Sequence, residues 1–68
     1  MTREEFDNLR VGQKIVITRY MDEGRTFTLL PESQKTHCKY VNQDKAGFML
    51  GSIFYRYQDA EIVPEKQF

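Results

Sequence analysis

Apolar positions recur along the chain with two different periods, and the change from one to the other separates a short opening helix from a run of strands. Phe6 and Leu9 lie three apart, the spacing of one apolar stripe on a helix. Thr2, Arg3, Glu4 and Glu5 carry the S/T-x-x-E spacing of a capping box, so the pattern predicts a helix over about 2–10 with Thr2 as its N-cap. Glu4, Glu5 and Asp7 stand near its positive end, Arg10 stands near its negative end, and Gly12 stops it. From Gln13 the chain turns β-branched through Ile15, Val16, Ile17 and Thr18, which reads as a first strand. Gly24 closes the polar turn after Met21, Asp22 and Glu23, and the alternating run Arg25, Thr26, Phe27, Thr28, Leu29 reads as a second. A polar break over 31–35 precedes a third strand over 36–41. Its alternation puts Cys38 and Tyr40 on one face and His37 and Lys39 on the other.

Residues 42–47 have the composition of a hairpin loop and lead into the most apolar stretch of the chain, a predicted fourth strand. Strict alternation there would set Phe48 and Leu50 against Ile53, Tyr55 and Tyr57 on opposite faces. A single bulge with Gly51 in left-handed geometry brings all five onto one face, leaves Met49, Phe54 and Arg56 opposite, and bends the strand. The competing reading is a type II′ turn at Gly51 and Ser52, since glycine suits its first central position. The shared apolar face favours the bulge. Gln58, Asp59 and Ala60 form too short a segment for an α-helix and read as a 3-10 turn into a last strand at 61–63, ended by Pro64.

Five short strands, a long first loop, one bent strand and a one-turn connection before the last strand follow the order of an SH3-like small barrel. The opening run from Glu5 to Ile17 and the closing run from Tyr57 to Val63 resemble the ends of small SH3-like barrel proteins of Gram-positive bacteria and their phages. That resemblance covers some 20 residues and implies a fold without implying an activity. A signalling SH3 domain would further imply a proline-binding groove with a tryptophan and an acidic first loop. This chain has no Trp, and only Asp22 and Glu23 could supply the acids. The expectation is a mainly β, five-stranded barrel over about 13–64 with the helix over one opening and a short tail at 65–68. The 68 residues form one domain.

Composition narrows the function classes. Ten Lys and Arg balance ten Asp and Glu, so no global field draws the chain to nucleic acid or to an anionic membrane. The lone Cys38 cannot close an internal disulfide, which points to a reducing, cytoplasmic setting. Apolar runs such as Phe48, Met49 and Leu50 fall far short of the ~20 residues needed to span a bilayer, so no membrane role is expected.

Chemistry-bearing residues are few. His37 and Cys38 are neighbours on a predicted strand, point to opposite faces and so form no dyad. One His and one Cys cannot complete a zinc site, so no metal and no cofactor are expected. Ser33 and Ser52 lack a positioned base, and Asp22, Glu23, Asp59 and Glu61 read as solvated loop acids, so no catalytic residue is expected. No glycine-rich phosphate loop is present.

The aromatic set stands above background. Tyr55, Arg56 and Tyr57 are consecutive and Tyr20 and Tyr40 end or centre other strands, and tyrosine with arginine is the usual composition of an interface hot spot. The competing role for most of these rings is simple core filling. Lys35, Lys39, Lys45 and Arg56 face only Asp44 within 33–58, a region net basic by three. The expected function is a non-catalytic protein-interaction module, with Tyr55, Arg56, Tyr57, Lys39, Tyr40 and Tyr20 as its candidate binding residues. Its partner is an unidentified protein, and an accessory or inhibitory factor of phage or prophage origin is one form such a module takes. The alternative is a weak nucleic-acid-binding barrel using the same cations and rings. Open strand edges also allow a homodimer.

Overall fold

The capping box forms as the sequence dictates. Glu5 N–H donates to Thr2 Oγ1 at 3.1 Å and Thr2 N–H donates to Glu5 Oε1 at 2.9 Å, starting helix α1 (Arg3–Asp7). The Thr2 N–H bond, seconded by the Thr2 hydroxyl, holds the Glu5 carboxyl below the usual carboxylate range. The computed structural model describes residues 1–64, so the predicted tail at 65–68, including Phe68, lies outside the described residues.

α1 ends at Asp7 rather than near Arg10, with Asn8 as its C-cap. A segment this short has little helical stability of its own. The Gln13 side chain accepts from Arg10 N–H at 2.6 Å, turning the chain early. Gly12, expected as the helix stop, instead serves the turn into the first strand with φ +98° and bonds Leu29 O.

Six strands make two antiparallel sheets of three. In the first, β1 (Lys14–Ile17) lies between β2 (Thr26–Thr28) and β6 (Ala60–Ile62). In the second, β4 (Ala46–Leu50) lies between β3 (Cys38–Val41) and β5 (Ile53–Arg56). The architecture is therefore mainly β with one short helix and two 3-10 turns, at Glu32–Gln34 and at Tyr57–Asp59. The extra strand, against the five expected, comes from Gly51 and Ser52. Gly51 has φ +63° while Ser52 is not left-handed, and Leu50 pairs with Ile53. This is the type II′ pattern, and the predicted bulge gives way to a hairpin. Phe48, Leu50, Ile53 and Tyr55 still share a face, because Phe48 pairs with Tyr55 across the ladder.

The third strand is shorter than predicted because His37 is left-handed, with φ 52°. Histidine is among the residues that tolerate this region. Its N–H donates to Met49 O at 2.6 Å and its carbonyl accepts from Leu30 N–H at 2.7 Å, tying β4 to the chain beyond β2. His37 thus leaves the strand and does not share a strand face with Lys39. The 3-10 turn before the last strand forms one residue earlier than the pattern predicts, at Tyr57–Asp59, so Tyr57 leaves the strand and the last strand begins at Ala60.

Phe48 is the centre of the core. It is fully buried, with its ring edge-on to Phe6 of α1 at 5.4 Å and to Phe27 of β2 at 5.5 Å. Ile15 and Ile17 of β1 and Leu50 of β4 belong to the same buried cluster. Through this one ring the helix and both sheets share a core.

Candidate binding grooves

Alternation along β5 divides its side chains between two environments. Tyr55 shares parity with Phe48 and enters the core at 6% exposure, whereas Arg56 faces out beside half-buried Phe54. The Tyr55 hydroxyl donates to Asp22 Oδ2, and Arg25 stands 3.8 Å from the other oxygen of that carboxylate. These contacts fasten the loop between β1 and β2 against β5. The bond to the Asp22 carboxylate, burial and the negative charge of Asp22 raise the Tyr55 phenol above its ordinary value.

A phenol raised in the folded state stabilises the fold below the unfolded pKa of about 10, and that contribution is lost as pH rises through the folded value. Tyr55→Phe should therefore be less stable than the parent at pH 7, with the gap closing as the pH rises above about 10. Urea unfolding across that range checks this, and a gap that stays constant would contradict it.

The start of the same loop contacts a second acid, at the end of the 3-10 turn. Asp59, expected as a solvated loop residue, is 5% exposed with Arg19 Nη1 at 3.7 Å from Oδ1 and Thr18 N–H bonded to its carbonyl. The 3-10 turn carries its side chain into the buried interior.

Between the loop and β5 runs an open groove of about 470 Å³, walled by Tyr20, Met21 and Asp22 on one side and Ile53, Phe54 and Arg56 on the other. Met21 is 99% exposed, Tyr20 66% and Ile53 51%. Tyr20 is also left-handed at φ 68°, a conformation costing a non-glycine residue roughly 1–2 kcal/mol. A second groove of about 650 Å³ lies between residues 42–46 and Phe54, Arg56 and Tyr57. Phe54 and Arg56 border both. On the outer face of β3, β4 and β5 the Tyr40 and Phe54 rings meet edge to face at 5.9 Å, and Lys45 Nζ sits 4.6 Å from the Phe54 centroid.

The six sequence-predicted residues are dispersed by this geometry. Tyr40 and Arg56 share the outer face, and Tyr20 stands on the rim of the adjoining groove. Tyr55 is internal. Tyr57 packs half-buried on Phe6 at 5.5 Å, and Lys39 lays its ammonium 4.7 Å from the other aromatic partner of that cluster, the Phe6 ring itself. Met21, Ile53 and Phe54 were not singled out by the sequence, although an apolar Met21 at the head of a polar loop was a visible signal. Cys38 is buried, which pushes its thiol up, with Glu32 adding to the effect. Among the described residues no three His, Cys, Asp or Glu side chains converge, and no helix is long and apolar enough to cross a membrane. No family model, curated protein or solved structure matches the chain.

Proposed function

We propose that this chain is a non-catalytic protein-interaction module of SH3-like barrel type, acting in a reducing cytoplasm as an accessory or inhibitory factor of phage or prophage origin. The strand order supports the barrel: β1 pairs with the final strand, and a 3-10 turn links β5 to it. One observation carries the interaction reading. Tyr20 is held in a strained backbone conformation with its ring in solvent, opposite exposed Ile53 and beside exposed Met21. The Arg19 guanidinium 5.7 Å from its centroid is the ring's one aromatic or cation contact among the described residues, backbone preference does not favour a tyrosine there, and strain of this kind collects at binding sites.

Tyr20→Asn should leave stability unchanged or raise it by up to about 1 kcal/mol, since asparagine tolerates the left-handed region. The same change should abolish peptide binding. Panning displayed random heptapeptides on the full chain, then comparing affinity and thermal unfolding for the parent and Tyr20→Asn, tests both halves. Equal affinity in the two proteins would contradict the reading.

The outer face favours a second reading. Lys45 and Arg56 beside the Tyr40 and Phe54 rings are the elements of a single-strand nucleic-acid surface. Two cations give an attraction that salt removes, so oligonucleotide-induced amide shifts at these residues should vanish at physiological ionic strength. Shifts that persist there would favour nucleic acid over protein.

A further inference from the structure

β5 is hydrogen-bonded on one side only. The two-residue turn makes Leu50 and Ile53 a hydrogen-bonded pair, and the antiparallel register repeats that state at Phe48 and Tyr55. Phe54, opposite Met49, therefore directs its N–H and C=O away from β4. The carbonyl of Met49 correspondingly points the other way, where His37 N–H takes it. No backbone group outside the sheet bonds the Phe54 N–H or C=O among the described residues. This unpaired edge borders the groove whose far wall is Tyr20, Met21 and Asp22.

The charges of the groove are unevenly satisfied. Asp22 serves Tyr55 and Arg25, and Asp59 serves Arg19. Arg56 pairs with no carboxylate among the described residues. An occupant with an acidic side chain completes this set. All four residues of β5 line this groove, the footprint of an extended segment lying along the strand.

Building on the interaction-module reading, we propose that an extended, acidic and apolar peptide segment of a partner protein adds to β5 as a strand. Its backbone bonds the Phe54 N–H and C=O. Side chains of one parity lie beside Phe54 and Arg56, where a carboxylate meets the guanidinium. Those of the other parity rest on Tyr20, Met21 and Ile53. Pairing along β5 spans about 14 Å at ~3.4 Å per residue, so a heptapeptide covers it.

The test uses heptapeptides selected by panning on the full chain. The consensus should alternate apolar residues with at least one Asp or Glu. Single backbone N-methylations of the selected peptide should weaken binding by about tenfold or more at alternate positions and leave the intervening ones unaffected, because only every second amide faces β5. Arg56→Glu, an exposed substitution, should weaken the acidic peptide by about tenfold or more, and exchanging the peptide acid for lysine should restore affinity to that variant. Selected peptides that bind but tolerate N-methylation everywhere, or ignore Arg56→Glu, would overturn strand addition while leaving the module reading in place. Failure to enrich any peptide would overturn both.

Discussion

Phe48→Ala is expected to cost about 3–5 kcal/mol, the range for removing a buried phenylalanine ring without collapse of the site. At 0.05–0.15 kcal/mol per residue a domain of 68 residues has roughly 3–10 kcal/mol in total, so much of the population should be unfolded near 37 °C. The size of the effect follows from position. Phe48 is fully buried and meets Phe6 and Phe27 edge-on, so its loss uncouples α1 and β2 from β4 together. Urea denaturation followed by far-UV circular dichroism gives the number. A loss below about 1.5 kcal/mol would mean that α1 and the two sheets do not share one core.

The preceding residue points the other way and tolerates substitution no better. A Cβ on Gly47 would stand against the Tyr55 carbonyl oxygen and 2.9 Å from both Arg56 Cα and Phe54 Cζ. Two of those three atoms are backbone of the neighbouring strand and cannot turn aside as a flexible side chain would. Gly47→Ala should therefore separate β4 from β5 and cost about 3 kcal/mol, at the upper end for overpacking. For a domain of this size the melting temperature should fall by roughly 12–24 °C. Gly51→Ala gives the contrast, because nothing lies within 4 Å of its added Cβ and the penalty there is conformational alone. A melting temperature for Gly47→Ala within about 3 °C of the parent would contradict the described approach of β5 to Gly47.

Much of this fold was legible because its causes are local. Thr2 and Glu5 are three residues apart, and their reciprocal bonds need nothing from the rest of the chain. The 3-10 turn and the last strand likewise follow from short-range pattern and Pro64. The error at Gly51 has a specific origin. A bulged strand and a II′ hairpin put the same residues on the same face, so the apolar pattern specifies parity and is silent on chain direction. Length held the missing signal: a continuous strand from Phe48 to Tyr57 would stand at the long end of the range, well beyond the usual five or six residues. His37 and Tyr20 adopt left-handed conformations that neither residue type announces. The Tyr55 to Asp22 bond joins residues 33 apart in sequence, beyond the reach of periodicity, and it is this contact that closes the loop into a groove wall.

The site was legible by composition and misplaced by geometry. Consecutive Tyr55, Arg56 and Tyr57 look like one cluster in a linear sequence, yet alternation along β5 and the onset of the 3-10 turn send them in three directions. Arg56 alone of the three stays exposed and comes to border both grooves. Met21 and Ile53, 32 positions apart, become opposite rims of one groove only after the loop folds back.

The unpaired edge of β5 is read most directly by amide hydrogen exchange on the full chain, free and with a selected heptapeptide at saturation. In the free protein the Ile53 and Tyr55 amides should be protected and the Phe54 amide between them should exchange rapidly. Added peptide should slow Phe54 by about tenfold or more while leaving β1 unchanged. A Phe54 amide already protected in the free chain, or one that stays fast with peptide bound, would contradict strand addition at β5.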